Sequence, residues 1–533
     1  MNKRLLLGAE AIALGALDAG ISGVYAYPGT PSTEITEYIQ KYSQDHHSPV
    51  RSAWSANEKT AFEAALGMSY AGKRSLVCMK HVGLNVAADA FINSAITGVN
   101  GGLVTAVADD PSMHSSQNEQ DSRVYGKFAM LPVIEPASQQ ELYDATREAF
   151  DMSESLRLPV LLRLTTRLSH SRSIVESTPE RPQNQLNPIY APERYVLMPH
   201  NARRQYEHLI SVQPRLEEFS KHSWLNTLIP GNGKTGVIAF GIAFNYVMEA
   251  RELFDLDCPV LKIGCYPLPR KKVEALFGMC ETVLVAEEGY PVYEELLRGF
   301  FGGREIWGRL DGTLPRTGEL DTDRIALAFG KHVNYGLPIP EIVSNRPPEL
   351  CKGCGHRDLF EALNIVMSSY DDRHVFSDIG CYTLGALPPY NAIHTCVDMG
   401  ASITMAKGAA DAGLHPAVAV IGDSTFTHSG MTGLLDAVND RTPVTIIIAD
   451  NDTVAMTGGQ CSSATGTRLI EICTGLGVEK EHIRSIIPLK SHLDENITVL
   501  GEEIAYEGVS VVIAQRECVE NAARKKRNTA ANV

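Results

Sequence analysis

The sequence predicts an α/β fold made of three doubly wound domains. Continuous apolar runs alternate with segments of helical spacing, such as Leu142, Ala145, Ala149 and Met152. Because the runs are continuous, they are typical of parallel strands covered by helices on both faces. Proline-rich passages separate the blocks. The predicted boundaries are domains at 1–195, 235–335 and 350–520, a linker at 196–234 and a tail at 521–533.

The strands are predicted where the apolar runs occur. They lie at 23–26, 75–79, 103–108 and 160–164 in the first block, at 236–240, 260–263 and 283–286 in the second, and at 375–376, 417–421, 444–449 and 509–514 in the third. The N-terminal segment faintly resembles a signal peptide. Glu10 and Asp18 interrupt its apolar run, and its spacing predicts an amphipathic helix of the first domain instead.

Composition excludes several classes of protein. The chain has 533 residues, of which 44% are hydrophobic and 21% charged, as in ordinary globular enzymes. A net charge of −15 argues against nucleic acid or a membrane surface as the main partner. There is no run of 18 apolar residues that would predict a transmembrane helix. We therefore expect a cytoplasmic protein with neither nucleic acid nor membrane as a partner.

The cysteines predict a reducing compartment. There are eleven, an odd number, in a long chain without a signal segment, so a disulfide framework is not expected. Most occur singly in or beside apolar runs and are interpreted as core residues. These are Cys78, Cys258, Cys265, Cys280, Cys396, Cys461 and Cys473. The pair Cys351 and Cys354 differs, because only two residues separate its members.

The segment 422–460 is the most informative part of the chain. It predicts a strand, a Gly422-Asp423-Ser424 turn, a helix and a second strand that ends before Asn451. Parallel strands bring such ends to one edge of a sheet, where α/β proteins bind ligands. The glycine lets backbone approach a phosphate, and Asp423, the Asn451 side chain and the Thr453 carbonyl are hard oxygen ligands suited to Mg²⁺. The segment resembles the thiamine diphosphate (ThDP) motif; the alternative is a loop that only connects buried strands.

Two passages of the first block are also unusual. The turn 27–32 (YPGTPS) follows a predicted strand and presents the Thr30 hydroxyl and bare backbone at the sheet edge. Glu58 lies at the start of an apolar helix, where the helix dipole favours a carboxylate. Considered alone, Glu58 is an ordinary first-turn acid.

Long blocks of the sequence resemble a known family. The stretches LLLGAEAIALGALDAGISGVYAYPGTPSTEI, MKHVGLNVAADAFINSAITGVNGGLVTAVADDPSMHSSQNEQDSR, LRLTTRLSHS and DIGCYTLGALPPYNAIHTCVDMGASI occur in order over nearly the whole chain. They are similar to the large subunits of indolepyruvate ferredoxin oxidoreductases, in the 2-oxoacid:ferredoxin oxidoreductase superfamily. The resemblance implies that the first and third blocks are the pyrimidine-binding and diphosphate-binding ThDP domains. It makes the second block a domain like the transketolase C-terminal domain.

The resemblance also implies roles for individual residues. Glu58 becomes the acid that activates the coenzyme at pyrimidine N1′, and Thr30 lines the substrate pocket. Magnesium is held by Asp423, Asn451 and Thr453. The residues that contact the cofactor are expected to be Tyr27, Pro28, Gly29, Gly380, Cys381, Met399, Gly400, Gly422, Asp423, Ser424, Asn451, Thr453 and Met456.

Four cysteines match the family's pattern of CxGCG, a GC turn and a cysteine after the last strand. They are Cys351, Cys354, Cys381 and Cys518, and the resemblance implies that they hold one [4Fe–4S] cluster. A zinc knuckle or an incidental CxxC pair are the alternatives. The family continues after the last of these cysteines into a ferredoxin domain with two more cluster motifs. Residues 519–533 contain no cysteine, so we expect at most one cluster on this chain.

The implied reaction is the oxidative decarboxylation of an aryl-2-oxoacid, such as indolepyruvate or phenylpyruvate, to its acyl-CoA and CO₂, with coenzyme A (CoA) as co-substrate. Pyruvate-specific relatives have a polar Asn immediately before the counterpart of the TGGQ segment, and Met456 replaces it here. A flexible apolar side chain can accommodate an aromatic ring, which favours an aryl substrate. Electrons are expected to pass through the cluster to ferredoxin or another electron-carrying subunit. A small partner subunit and a dimer of heterodimers are also implied. Two rival functions stay open: a non-redox ThDP decarboxylase or synthase, and a non-catalytic ThDP-binding subunit.

Several further residues are left with two interpretations each. The carboxylate of the substrate has three candidate partners, Lys80, His81 and Arg123, between which the sequence does not choose. The basic run 524–527 is a solvated tail or a docking site for an acidic redox partner. Four other polar side chains either line the substrate pocket or form hydrogen bonds within turns: Asn85, His114, Ser115 and Gln117.

Overall fold

The structure, a computed structural model, describes residues 2–189, 191–300, 305–333, 336, 338–343, 348–371 and 373–531. The chain divides into two compact units, Met1–Leu337 and Pro338–Val533. In the described residues no helix is both long enough and apolar enough to cross a membrane.

The first half of unit 1 alternates strands and helices. Its elements are β1 (Asn2–Leu7), α1 (Gly8–Asp18), β2 (Gly23–Ala26), α2 (Thr33–His46), β3 (Arg51–Trp54), α3 (Glu58–Tyr70), β4 (Ser75–Lys80), α4 (His81–Val86), α5 (Ala88–Thr97), β5 (Leu103–Asp109), α6 (Ser122–Phe128), β6 (Val133–Ile134), α7 (Gln139–Leu156), β7 (Val160–Thr165), α8 (Thr166–His170) and β8 (Arg172–Ser177).

The second half of unit 1 continues the alternation. Its elements are α9 (Pro192–Tyr195), α10 (Pro199–His222), β9 (Leu228–Ile229), β10 (Thr235–Phe240), α11 (Ala243–Leu253), β11 (Val260–Ile263), β12 (Cys265–Tyr266), α12 (Arg270–Met279), β13 (Thr282–Ala286), α13 (Val292–Phe300), β14 (Glu305–Trp307) and α14 (Thr322–Ala328).

Unit 2 is a further α/β layer structure. Its elements are α15 (Gly355–Met367), β15 (Val375–Ser377), β16 (Thr395–Cys396), α16 (Ala401–Asp411), β17 (Val418–Gly422), α17 (Asp423–Thr425), a π-helical turn (Phe426–Gly430), α18 (Met431–Asp440), β18 (Val444–Asp450), α19 (Thr467–Gly475), β19 (Ile483–Ile486), α20 (Leu493–Ala505), β20 (Val509–Gln515) and α21 (Val519–Ala531). Short 3₁₀ turns lie at Cys381–Ala386, Ala455–Thr457, Lys480–His482 and Lys490–His492.

The predicted α/β class is confirmed. Every strand predicted from an apolar run is present, with each end within one residue of its predicted position. The larger sheet of unit 1 has the order β12–β6–β7–β5–β4–β2–β3, in which only β12 runs antiparallel to its neighbour. Its central strands β4, β5 and β7 are buried along their whole length, which explains their continuous apolar sequences.

The second sheet of unit 1 has the order β14–β13–β10–β11–β9. Strand β12 follows three strands of this sheet in the chain, β9, β10 and β11, yet it pairs with β6 of the larger sheet. The buried apolar residues of both sheets belong to one hydrophobic core, whose members range in sequence from Leu6 to Ile325. The division of residues 1–335 into two domains at the predicted boundaries therefore stays a prediction.

The segment predicted as a linker contains a long helix. Leu209, Val212 and Leu216 of α10 are buried, and the Ser220 hydroxyl donates a 3.0 Å hydrogen bond to the Cys265 carbonyl. The prolines misled the prediction because two of them begin helices α9 and α10, where a missing N–H has no cost.

The N-terminal prediction is wrong in two respects. Residues before Gly8 form β1, which pairs antiparallel with β8, and are not helical. Helix α1 is not amphipathic, because every residue except Glu10 is buried and it packs against α2 and α7. Its one carboxylate on the surface side, Glu10, caps the helix by accepting a 2.8 Å hydrogen bond from the Leu7 N–H.

The prediction that isolated cysteines are core residues holds for five of seven. Cys396 and Cys461 are exposed, so for them it is wrong. Cys396 ends a short edge strand, and Cys461 follows the TGGQ loop.

A buried network of charges connects the two sheets of unit 1. Arg163 of β7 donates to Asp109 at 2.6 Å, to Glu135, and to the Glu288 carbonyl at 3.0 Å. Arg123 pairs with Asp121 and with Glu287. Both arginine side chains are 0% exposed. Charges buried this deeply are tolerated only when each one is paired.

Replacing Arg163 by methionine should destabilise unit 1 by about 3–5 kcal/mol, because Asp109 and Glu135 would remain as buried charges without their partner. Guanidinium unfolding of the whole chain, followed by circular dichroism, measures the effect. Arg270→Met is the matched control, since Arg270 pairs only with Glu274 on the surface. Equal midpoints for the two variants would contradict the role given to the network.

Candidate functional site

The sheet of unit 2 gathers the predicted site residues at one edge. Its order is β16–β15–β17–β18–β20–β19, and all neighbouring pairs are parallel. Gly422 aligns with Ala449, and Asp450 with Gln515, so the carboxyl ends of β17, β18 and β20 lie side by side. This is the edge at which open α/β sheets bind ligands.

Asp423 begins the helical segment after β17 and is only 2% exposed. Its Oδ2 is buried and accepts no hydrogen bond from the part of the chain that the structure describes. Burial, together with the charge of Asp450, raises the pKa of Asp423 to about 7. A buried carboxylate oxygen without a partner is costly, and a bound cation would satisfy it.

Asn451 and Thr453 follow β18 at the same edge. The Thr453 N–H donates to Asn451 Oδ1 at 3.2 Å, and the Thr453 hydroxyl donates to the Gln460 carbonyl at 3.0 Å. These bonds shape the loop that follows β18, and the pairing of Gly422 with Ala449 places this loop and Asp423 at the same edge of the sheet. The donor set of carboxylate, amide and carbonyl oxygens fits Mg²⁺.

The glycines of the site make room for a tyrosine. A Cβ at Gly380 would lie 2.2 Å from Cε1 of Tyr382, and a Cβ at Gly422 would lie 2.6 Å from the same atom. Gly422 therefore leaves space for the ring of Tyr382. The sequence also predicts that its missing side chain lets the backbone approach a phosphate. Gly400 has a φ of +93° and a Cβ there would lie 2.6 Å from Cβ of Ser429, so glycine is required at this turn.

Sequence reasoning missed Asp378, which follows β15. Its carboxylate accepts hydrogen bonds from the Tyr382 hydroxyl, the Gly400 N–H at 3.2 Å, and both the N–H and the hydroxyl of Ser402. Burial raises the pKa of Asp378 to about 7, whereas these hydrogen bonds lower it. Asp378 therefore ties the turn that carries Cys381 to the turn that carries Gly400. An acid directly after a strand was the available signal.

The other predicted contacts of unit 2 are distributed around this edge. Ser424 is buried and Met399 is half-buried. Met456 lies on the 3₁₀ turn Ala455–Thr457 and is 62% exposed. Arg524 of α21 donates to the carbonyls of Gly458 and Gly459 in the adjoining TGGQ loop.

Four cysteines line one cavity of about 330 Å³ in unit 2. The Cys354 N–H donates to the Cys351 carbonyl at 3.0 Å, in a turn that Gly353 completes with a φ of +79°. The Cys518 N–H donates to the Asn451 carbonyl at 3.0 Å, which joins this cavity to the Asp423 side of the edge. Burial, together with the charges of the other three cysteines, raises the pKa of the Cys381 thiol to about 12.

The arrangement of the thiols bears on which metal group they fit. Among the described residues, no three histidine, cysteine or acidic side chains are drawn together around a single metal position. An iron–sulfur cluster spreads its four thiolates over different irons, so four cysteines along the wall of one cavity are a donor set that such a cluster can use.

The predicted residues of the first block lie at the carboxyl edge of the larger sheet of unit 1. Tyr27 and Pro28 are buried, whereas Gly29 and Thr30 are half-buried. The Gly29 N–H donates to Thr33 Oγ1 at 3.0 Å, which fixes the turn on the start of α2. The Ser115 hydroxyl, from the loop after β5, donates to the Thr30 carbonyl at 3.3 Å.

Glu58 is the first residue of α3 and is 5% exposed. The side chain of Asn57 caps the helix by accepting a 2.8 Å hydrogen bond from the Thr60 N–H. A Cβ at Gly83 would lie 2.6 Å from Oε1 of Glu58, so the carboxylate lies directly against the start of α4. A buried carboxylate of this kind is not an ordinary surface acid of a first helical turn.

The remaining polar candidates of unit 1 differ in the ion pairs and hydrogen bonds that they already make within the protein. Arg123 is enclosed in the charge network and cannot reach a substrate. Asn85 accepts from the Tyr125 hydroxyl at 2.9 Å, and His114 contacts Glu319 at 2.9 Å. Gln117 is exposed, and His81 contacts the Asn118 carbonyl at 3.2 Å.

Comparison with known proteins matches both ThDP regions. Residues 14–213 match the family described as pyruvate flavodoxin/ferredoxin oxidoreductase, thiamine diP-binding, and residues 378–480 match the thiamine pyrophosphate enzyme C-terminal TPP-binding domain. Indolepyruvate oxidoreductase subunit IorA of Archaeoglobus fulgidus is 38% identical, over 99% of this chain and 88% of that protein. Subunit IorA of Pyrococcus abyssi is 38% identical, over 96% and 85%.

A solved structure supports the fold. The chain resembles a 2-oxoglutarate:ferredoxin oxidoreductase from Magnetococcus marinus, solved with 2-oxoglutarate, coenzyme A and succinyl-CoA bound. The TM-score is 0.52 with 15% sequence identity, over 62% of this chain and 65% of that chain. At this identity the likeness shows the fold alone.

Asp378→Asn should weaken ThDP binding about tenfold, because an amide group would replace an oxygen that accepts hydrogen bonds from both turns of the diphosphate side. Titration calorimetry with ThDP and Mg²⁺ measures the change. Asp494→Asn, an exposed acid of α20, is the control. An unchanged dissociation constant in Asp378→Asn would show that the carboxylate does not position these turns.

Proposed function

Because this chain belongs to the family of indolepyruvate oxidoreductase IorA subunits, we propose that it is the catalytic subunit of a ThDP-dependent 2-oxoacid oxidoreductase. Its reaction would convert an aryl-2-oxoacid of the indolepyruvate or phenylpyruvate type to the acyl-CoA and CO₂. The observation that carries the redox part is the single cavity lined by Cys351, Cys354, Cys381 and Cys518 beside the Asp423 edge.

The residues of unit 2 are proposed to hold the cofactors. Asp423, Asn451 and Thr453 would bind Mg²⁺, with the orphaned Oδ2 of Asp423 as the anionic ligand. The turns at Gly400 and Gly422 would receive the diphosphate, and the four cysteines would hold one [4Fe–4S] cluster. When bound, ThDP supplies the carbon nucleophile and the electron sink that decarboxylation requires.

The residues of unit 1 are proposed to act on the pyrimidine and the substrate. Glu58 would hold a proton at pyrimidine N1′, and its burial keeps water away from that position. Thr30 would line the substrate pocket. Both lie within the matched region 14–213, and both are at the edge of the larger sheet where strands β2, β3 and β4 end.

The proposal extends to the partners. A small subunit of the oxidoreductase and ferredoxin, or another electron-carrying subunit, would complete the enzyme, as a dimer of heterodimers in the cytoplasm. CoA would accept the acyl group. The exposed apolar side chain of Met456 on the TGGQ side supports an aryl substrate over pyruvate.

Two rival functions make different predictions. A non-redox ThDP decarboxylase has no use for four cysteines around one cavity, and it would release an aldehyde without reducing an acceptor. A non-catalytic ThDP-binding subunit has no use for a buried Glu58 beside Gly83. The test is therefore an anaerobic assay of the native complex with phenylpyruvate or indolepyruvate, CoA and ferredoxin, in which acyl-CoA, aldehyde and reduced ferredoxin are all quantified.

Glu58→Gln should lower turnover by at least about 100-fold, the contribution typical of a positioned proton-transfer group. Gly83→Ala should also lower turnover, because its methyl group would displace the Glu58 carboxylate. Gly67→Ala in α3 is the matched control, since a Cβ there has no neighbour within 4 Å. All three variants should retain the circular dichroism of the native chain. Full activity in Glu58→Gln would refute the role of this residue.

A further inference from the structure

We propose that Lys80 supplies the positive charge that binds the carboxylate of the 2-oxoacid. This inference rests on the proposed function and deepens it, because the sequence leaves three candidates for that partner. Lys80 is the last residue of β4, at the same edge of the sheet as the Thr30 turn and Glu58.

The side chain of Lys80 lies along the turn that carries Thr30. Its Cγ and Cδ would be 3.6 Å from a Cβ at Gly29, so the aliphatic part packs on that glycine. Its Nζ donates a 3.1 Å hydrogen bond to the Ser115 carbonyl, and the Ser115 hydroxyl in turn contacts the Thr30 carbonyl. Lys80, Thr30 and Ser115 therefore form one polar group at the edge of the predicted pocket.

The ammonium of Lys80 is nearly buried yet incompletely bonded. The residue is 9% exposed, and among the described residues the Ser115 carbonyl is the one hydrogen-bond acceptor of its three N–H donors. Burial lowers the pKa of Lys80, whereas the charges of Asp110 and Glu58 raise it. A buried ammonium that makes one hydrogen bond with its three N–H donors favours the binding of an anionic ligand.

Asp110, an acidic residue whose charge acts on Lys80, accepts its hydrogen bonds from other residues. Asp110 Oδ2 already accepts from the Ser115 N–H at 2.8 Å and from the Ser116 hydroxyl at 2.7 Å, and Oδ1 accepts from the Thr166 hydroxyl at 2.6 Å. These bonds hold Asp110 in place, and its charge opposes the net lowering of the Lys80 pKa that burial causes.

The other cations of this region are occupied. Arg123 and Arg163 are fully buried in ion pairs with Asp121, Glu287, Asp109 and Glu135. Arg167 pairs with Glu319 and donates to the Tyr246 hydroxyl. His81, the third candidate, is buried; its Nε2 contacts the Asn118 carbonyl, and its Nδ1 has no hydrogen-bond partner among the described residues. Arg123 is thus occupied by its ion pairs, and Lys80, which also packs along the Thr30 turn, is the candidate that we assign to the substrate.

The test compares a charged and an uncharged ligand in the native holoenzyme. Phenylpyruvate carries the carboxylate, and its carboxamide, 2-oxo-3-phenylpropanamide, has the same shape without the charge. Lys80→Met should lower kcat/KM for phenylpyruvate by about 10- to 100-fold, mainly through KM, because a charge-assisted hydrogen bond is lost. The inhibition constant of the carboxamide should change by less than about threefold.

Lys80→Arg keeps the charge and should retain most of the preference for the acid, while the ThDP content of both variants should equal that of the native enzyme. The proposal is overturned if Lys80→Met affects the acid and the carboxamide equally, which indicates a structural role, or if kcat/KM does not change. Failure of the unmodified complex to convert phenylpyruvate and indolepyruvate would instead overturn the proposed function, and this inference with it.

Discussion

The parallel register of β17, β18 and β20 is the constraint on which the candidate site depends. Neighbouring strands run in the same direction and their ends align. The residues that follow these strands therefore meet at one edge of the sheet, whatever the path of the connecting segments. Asp423 and Asn451 become neighbours in this way. The hydrogen bond from the Cys518 N–H to the Asn451 carbonyl connects this edge to the cysteine cavity, so the loop after β18 and the four cysteines share one backbone support.

Buried carboxylates perform different tasks in the two units. In unit 1 they are balanced by Arg123 and Arg163, and the resulting network fixes the loops next to the larger sheet. In unit 2 Asp378 is satisfied by hydrogen bonds to its own neighbouring turns, whereas Asp423 keeps one oxygen without a partner. The carboxylate of Asp423 therefore has an oxygen available for a ligand, and Asp423 is the residue that the ThDP motif singles out.

Much of this fold could be predicted from the sequence, because central parallel strands are long, wholly apolar and bounded by turns. The two-residue strands β6 and β12 gave no such signal, since a pairing of this length depends on tertiary contacts alone. Prolines at the start of α10 suggested a linker although they also suit a helix N-terminus. The exposure of Cys396 and Cys461 could not be read from apolar neighbours in the sequence, because Cys396 lies on an edge strand and Cys461 lies in a loop.

The placement of Asp423 and Asn451 at one edge of the sheet was predictable, because a motif fixes their residue types and spacing. The site was not predictable at Asp378 and Tyr382, whose roles arise from packing between turns that are distant in the chain. The choice among Lys80, His81 and Arg123 likewise required knowledge of which cations are already paired.

The most direct test of the account is to purify the chain anaerobically and to quantify iron, acid-labile sulfide and ThDP per chain, with an EPR spectrum after reduction. The account predicts about four irons, about four sulfides and about one ThDP, with the signal of a reduced [4Fe–4S] cluster. ThDP without iron or sulfide would contradict the assignment of the four cysteines and would favour a non-redox decarboxylase.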